Sequence, residues 1–401
     1  MQNVGLIAKQ GYKYVFVLGL LLLLALVLGV CQILFFALFA LCIFWFRNPE
    51  RALGSDDTYA VLSPIDGKIK SIDKIYYFDT QCVPQEKIPQ LFLLSELIGA
   101  MDTKSHTYAE IANRMNLHTG GISYEAFAAA RKGEPDSSMP LFRIRARAFQ
   151  RNLPELFSLL GEILTETRFD DKKRLEELCG QCRAVMEMRV MSASQQAMAV
   201  RLASYLSPAG AYNEQAGLSF HRFIVDITDH FQECFASLSA TLAELLPLVF
   251  RKDGLTFGLT LHAKDYTLFE GEAEAFCRRL PQESAVSRTY HWKVEAKNEG
   301  LLSSSRVQYV GKAANFLRLG FSYTGSLSVL ETILRYDYFW TKIRVQGGAY
   351  GAFTQFSRIG LMLFGKYLIA FRNDRRNFRF ARYVFQNRIV RKRIFPDSGK
   401  R

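Results

Sequence analysis

Cysteine is scarce: seven residues in 401, odd in number and scattered, which argues against a disulfide scaffold. Histidine is scarcer still. His106, His118, His221, His230, His262 and His291 make up the full set. No two are four apart and none falls in H-x-x-E-H or H-E-x-x-H, so no helix can offer a histidine pair to zinc from one face. The nearest pair, His221 and His230, is separated by about 900° of helical rotation and points to opposite faces. Cys179 and Cys182 form C-x-x-C, but inside a predicted helix and with no second ligand pair. The expectation is that these residues hold no metal centre of their own. Formal charge is missing altogether from Tyr14 to Phe46. Acidic residues are nearly missing from both ends: residues 372–401 carry +9 and residues 1–55 carry +3, leaving +1 of the net +13 for the middle. That distribution argues against a nucleic-acid-binding core.

What is present is a composition of 49% hydrophobic, 13% aromatic and 22% charged residues. This excludes a disordered or collagen-like chain and allows a sizeable core. The uncharged run Tyr14–Phe46 is too long for a signal peptide, and no small-residue cleavage site follows it. As one helix at ~1.5 Å per residue it would be about 50 Å long against a ~30 Å hydrocarbon core. Two short segments turning near Gly29 fit better. Lys9 and Lys13 before it, and Arg47 and Arg51 after it, suit a hairpin with both ends cytoplasmic. The expectation is an anchor in the cytoplasmic membrane, with the lipid bilayer as a partner and the bulk of the chain on the cytoplasmic side. The basic tail, with Arg372, Arg375, Arg376 and Arg379 interleaved with Phe371, Phe378 and Phe380, favours anionic lipid over nucleic acid.

Apolar residues recur at helical spacing over 90–115, 152–204 and 217–248. Strand-like runs occur at Leu141–Ala148, Gly254–Leu261 and Tyr290–Val294, with connecting loops at Gly210–Gly217 and Pro281–Ser287. The pattern predicts an α+β fold.

Two resemblances refine this. Phe46-Arg47-Asn48-Pro49-Glu50-Arg51, followed by Ser63-Pro64-Ile65-Asp66-Gly67, resembles the start of phosphatidylserine decarboxylase over residues 14–72. In that family the aspartate of the turn supports self-cleavage, which marks Asp66 as the matching remnant. The family's self-cleavage motif and its pyruvoyl group are not matched, and Asp66 by itself reads as a turn aspartate.

The second resemblance is wider. Tyr76-Tyr77-Phe78-Asp79-Thr80, Asp102-Thr103-Lys104-Ser105-His106-Thr107-Tyr108, Asn116-Leu117-His118-Thr119-Gly120-Gly121, Ser204-Tyr205-Leu206-Ser207 and Ile343-Arg344-Val345-Gln346-Gly347-Gly348-Ala349-Tyr350-Gly351 occur in order. Over residues 75–374 they resemble the C-terminal half of the presequence-protease branch of the pitrilysin-type (insulinase-like) zinc peptidases. The resemblance implies a two-part clamshell enclosing unfolded peptides, with the zinc motif on the N-terminal half. It also implies that Arg344 and Tyr350 grip the peptide, with Gly347 and Gly348 between them as substrate-binding backbone. A guanidinium and a phenol can donate to a substrate carbonyl or a developing oxyanion, and the glycines permit close approach.

Together these imply a membrane anchor (1–51), a decarboxylase-like β-hairpin (52–74), two incomplete pitrilysin-type α+β units (75–250 and 251–374) and a basic tail (375–401). The expected function is that of a peptide-binding half of a zinc metalloendopeptidase, inactive alone, with no catalytic set complete. Zinc is expected only in a complementary, separate zinc-bearing half. The alternatives are a decarboxylase-derived membrane protein acting on phosphatidylserine, and a non-functional fusion of two gene fragments.

Overall fold

The structure is a computed structural model that describes residues 12–28, 32–46, 72–131, 133–259, 266–301, 307–358 and 360–369. The chain divides into two units, residues 1–68 and 69–401.

In the first unit the uncharged run is split into α1 (Tyr12–Leu28) and α2 (Gln32–Phe46). They pack against each other where Gly19 leaves room for the Phe39 ring, 3.3 Å from the position a Cβ would take. At ~1.5 Å per residue the two helices are about 26 and 22 Å long, short of a ~30 Å hydrocarbon core. Among the described residues no helix is long and apolar enough to cross a membrane. This overturns the expected membrane anchor and the cytoplasmic-membrane localisation built on it. The error came from reading 33 apolar residues as material for spanning; once divided, neither piece has the length. Asp66, the rest of the decarboxylase-like hairpin up to residue 71, and the basic tail lie outside the described residues.

The second unit begins with β1 (Ile72–Asp79), then α3 (Ile88–Leu97) and α4 (Tyr108–His118). The strands β2 (Ile122–Ala129) and β3 (Met139–Ala148) follow. Six helices come next: α5 (Leu153–Glu166), α6 (Lys172–Ser192), α7 (Ser194–Ser204), α8 (Pro208–Glu214), α9 (Leu218–Asp229) and α10 (Phe231–Val249). The chain returns as β4 (Leu255–Leu259) and α11 (Tyr266–Arg279). The four strands form one antiparallel sheet in the order β2-β3-β1-β4. Alternation on β3 buries Pro140, Phe142, Ile144, Ala146 and Ala148 while Arg143, Arg145 and Arg147 take the other face. On β1, Tyr76 and Phe78 join the buried side, and Phe78 and Phe142 both pack edge-on against Phe250 at 5.2 and 5.0 Å.

Three expectations are corrected here. The boundary at 250/251 falls inside this body, because β4 pairs with β1 and α11 packs on α5. Gly210 to Glu214, expected in a loop, belongs to α8. Ser207 caps that helix by accepting from the Gly210 N–H at 3.0 Å, and Pro208 fills its first turn. Gly210 is a packing glycine there, since a Cβ would overlap the Ala203 carbonyl. Tyr290–Val294 joins no ladder. It is held by side chains instead: the Tyr290 hydroxyl is shared between the Thr80 and Val83 carbonyls at 2.9 and 2.8 Å, and Arg288 Nε donates to the Cys82 carbonyl at 3.0 Å.

The remaining layer holds β5 (Val307–Asn315), α12 (Ser326–Ile333), a π-helix (Leu334–Val345), β6 (Gly351–Phe356) and β7 (Leu361–Ile369). Its antiparallel order is β5-β7-β6, so among the described residues β6 is an edge strand. The β6–β7 turn requires Gly360 at φ +91°, a left-handed position that only glycine adopts without strain. One face of this sheet buries Met362 and Phe364 against Leu330, Leu334 and Phe339. The other turns toward α7, where a Cβ on Gly311 would lie 2.7 Å from the Met198 sulfur.

Candidate functional site

The π-helix ends at Gln346, whose N–H reaches back to the Thr341 carbonyl at 3.1 Å, the i−5 spacing of that helix type. Two glycines release the chain. A Cβ on Gly347 would lie 2.7 Å from the Ile343 carbonyl oxygen, and Gly348 sits at φ +68°, so each position demands glycine for a different reason. Ala349 then donates to the Ile343 carbonyl at 3.1 Å, and Tyr350 donates from its N–H to the Tyr367 carbonyl at 2.9 Å, which starts β6. The turn itself falls inside the segment Ile343–Gly351 singled out in the sequence.

Arg344 is exposed and its guanidinium lies over the Trp340 ring, 4.2 Å from the centroid, a cation–π arrangement one helical step along. No carboxylate pairs with it among the described residues. Beside it runs a groove of about 350 Å³ whose lining includes Arg335, Trp340, Arg344, Gly351 and Tyr367. Tyr350 does not line this groove. It stands next to it, 66% exposed, with its ring 6.3 Å from that of Tyr367. Arg344 and the two glycines are thus brought to one turn, with Tyr350 on the adjoining strand end.

Among the described residues no group of three or more His, Cys, Asp and Glu is placed to hold a metal ion. Cys179 and Cys182 lie in the middle of α6, and burial pushes both thiols up to about 12, far from the thiolate that a metal needs. His106 is bound to a carboxylate within the protein.

That carboxylate, Glu162, was not singled out in the sequence. Its Oε1 accepts from Thr103 Oγ1 at 2.6 Å and lies 2.8 Å from His106 Nδ1, while its Oε2 accepts from Arg114 at 2.8 Å. Burial raises its pKa, but the donors from Thr103, His106 and Arg114 outweigh burial and hold the carboxyl below its ordinary value. The Asp102–Tyr108 motif is therefore a structural clasp. Thr107 and Glu110 close a capping box on α4, and Asp102 Oδ1 accepts from the Tyr108 N–H at 2.7 Å. The available signal was a glutamate on the apolar stripe of α5, a position a charge occupies only when paired.

A second network ties α7 to the segment before β5. Arg201 donates to Glu299 at 2.8 and 3.0 Å, contacts the buried Glu214 at 3.1 Å, and Tyr205 also donates to Glu299. The Arg201 hydrogen bond above all draws the Glu299 carboxyl down to about 2.

Comparison with known proteins gives these observations a context. Residues 75–227 match the family model for the region associated with peptidases of family M16, subfamily C, and residues 298–371 match the PreP C-terminal domain. Residues 75–227 and 298–371 are thus similar to C-terminal parts of presequence-protease-type peptidases. Protein HypA of Clostridium perfringens (strain 13 / Type A) is 30% identical over 299 residues, covering 74% of this chain and 30% of that protein. Presequence protease 1, chloroplastic/mitochondrial, of Arabidopsis thaliana is 28% identical over 281 residues, 70% of this chain and 26% of that protein. The chain thus spans under a third of these curated relatives. Among solved structures, a conserved protein from Enterococcus faecalis V583 superposes with TM-score 0.51 at 16% identity, covering 75% of this chain and 71% of that one. A protease from Helicobacter pylori also gives 0.51, at 13% identity, with 82% and 77% covered. These two show that the mixture of helix and sheet is a shared fold. The matched family residues begin at 75, so the decarboxylase resemblance over 14–72 gains nothing from them.

Proposed function

We propose that this chain is the peptide-binding C-terminal half of a zinc metalloendopeptidase that degrades unfolded peptides, and that it does not hydrolyse them alone. The observation that carries this reading is the Gly-Gly turn at 347–348, which holds an exposed guanidinium with no carboxylate partner among the described residues (Arg344) beside an exposed phenol (Tyr350), at the rim of a groove. Arg344 and Tyr350 donate hydrogen bonds to a peptide carbonyl, and their exposure leaves both available. Gly347 and Gly348 keep that approach free of side chains. Hydrolysis requires a zinc-bearing half, which supplies the metal-activated water; none of the residues described above takes part in that step.

The test is titration of a labelled, unstructured peptide with the purified chain, followed by addition of the zinc-bearing N-terminal half of a presequence protease. Binding by the chain alone, cleavage only after the half is added, and weakening of binding by about tenfold in Arg344→Ala are the expected results. Chelator-sensitive cleavage by the chain alone would show that the metal centre lies within these 401 residues and would refute the reading. The absence of any peptide binding would refute it equally.

A further inference from the structure

A cavity of about 140 Å³ lies between the α7–α8 corner and the β5–β7 sheet. Val200 and Ala203 of α7, Leu206 and Ser207 at the corner, Asn315 at the end of β5 and Leu361 at the start of β7 form most of its wall. Both sides of it are held in place by close backbone packing. At the corner, Gly210 approaches α7 so nearly that a Cβ would overlap the Ala203 carbonyl. On the sheet side, a Cβ on Gly360 would overlap Asn315 Oδ1. Walls packed this closely relax only partly around a void, so the space persists.

The wall is mainly apolar, and no charged side chain stands among its residues. Its polar members differ in how far they are used. Asn213 is engaged with β2: its Nδ2 donates to the Ala128 carbonyl at 2.9 Å and its Oδ1 accepts from the Ala128 N–H at 2.7 Å. Ser207 Oγ accepts from the Gly210 N–H at 3.0 Å. Asn315 is only 6% exposed, and its Oδ1 accepts from the Leu317 and Arg318 N–H groups at 3.1 and 3.4 Å. Those two donors fix which way the amide faces. Nδ2 is therefore turned toward the corner, where it reaches the Leu206 carbonyl only at 3.5 Å, the far limit of a hydrogen bond. Its second N–H has no acceptor among the described residues.

A buried amide with a donor to spare costs free energy unless something accepts from it. The size of the cavity says what that can be. One water needs only ~10–15 Å³, whereas an apolar cavity of ~150 Å³ takes a molecule the size of benzene. A peptide segment is far too large. The donor asks for an oxygen acceptor, the apolar wall asks for hydrocarbon over the rest of the surface, and the lack of a charged lining residue rules against an ion.

We infer that this cavity is a binding site for a small, neutral, mostly apolar molecule of about six to eight heavy atoms, whose single carbonyl-type oxygen accepts from Asn315 Nδ2. Such a molecule touches α7, α8, β5 and β7 together and so ties the corner to the sheet. The site goes beyond the peptide-binding reading and shares no lining residue with the turn at Gly347–Gly348.

The test uses the full chain with labelled methyl groups, titrated by NMR with cyclohexanone, with toluene as a hydrocarbon of equal heavy-atom count, and with cyclohexanecarboxylate as a charged probe. Cyclohexanone is expected to shift the methyl signals of Val200, Leu206 and Leu361 with a Kd of about 0.1–1 mM. The carboxylate should bind at least about tenfold more weakly. Asn315→Asp keeps an acceptor for the Leu317 and Arg318 N–H groups and removes the donor, so the preference for cyclohexanone over toluene should fall about tenfold. The wild-type titrations need no variant, so a misfolded Asn315→Asp cannot decide the outcome. No binding of cyclohexanone up to ~10 mM would overturn the inference. So would shifts spread over other methyl groups, which mark adventitious binding, or a folded Asn315→Asp chain whose preference is unchanged.

Discussion

Replacing Glu162 by Ala tests the clasp between α4 and α5 directly. The change removes acceptors for Thr103 Oγ1, His106 and Arg114. Arg114 keeps two hydrogen bonds to Glu155 at 2.9 and 2.8 Å, and Thr103 keeps the His106 carbonyl at 3.1 Å, so neither is wholly orphaned. The loss is then one charge-assisted bond, at ~1.5–3 kcal/mol, plus about 1 kcal/mol for the threonine, or about 3 kcal/mol in all. For a body of this size that lowers Tm by on the order of 5–10 °C. The carboxyl is held below its ordinary value, so its contribution is present above the unfolded pKa of ~4.3 and is lost as pH falls through the folded one. The wild-type and Glu162→Ala melting curves, followed by circular dichroism, should be well separated at pH 7 and converge below about pH 4. A separation under ~0.5 kcal/mol at pH 7, or one that does not narrow in acid, would refute the account of Glu162 as a paired, ionised group.

Glu299, drawn down to about 2 by Arg201, should contribute about 2 kcal/mol above pH 5, allowing for partial solvent screening. That stability should drain away between about pH 4 and 2, and urea titrations of Glu299→Gln should lack this part of the acid dependence. Gly210→Ala forces a methyl group onto the Ala203 carbonyl and should cost about 2–3 kcal/mol by overpacking. An unchanged urea midpoint would show that the α7–α8 corner is looser than described.

Much of the scaffold was readable because it depends on local pattern. The alternation of Phe142, Ile144 and Ala146 against Arg143, Arg145 and Arg147 announces β3 whatever surrounds it, and the run at Leu255–Leu259 announces β4. The turn at Gly347–Gly348 was also legible, since close approach and a positive φ each select glycine. Readings failed where long-range packing overrode pattern. Tyr290–Val294 has strand-like residues but is held by the Tyr290 hydroxyl and by the Trp292 ring edge-on to Tyr212 rather than by a ladder. Gly210 suggested a loop, yet the glycine is required by the nearness of Ala203, a neighbour seven residues away in the preceding helix. The apolar run Tyr14–Phe46 was rightly divided near Gly29, but its hydrophobicity was taken for membrane spanning when the length of each piece was the deciding quantity. Glu162 went unnoticed because its partners come from 59, 56 and 48 residues earlier, and no spacing rule connects them.

The position of β1 has a consequence for how the protein is made. It is an inner strand, flanked by β3 and β4, and its Phe78 meets Leu255 after roughly 180 intervening residues. At ~5–20 residues per second of translation, β4 follows β1 by ~10–40 s. For that interval the nascent β1 offers a bare line of amides and carbonyls on one side, a template to which any extended chain nearby can attach. During synthesis the fold must therefore outlast a vulnerability that the finished sheet no longer displays, and a trigger-type chaperone or a pause in translation would act most usefully between the emergence of Asp79 and that of Leu259.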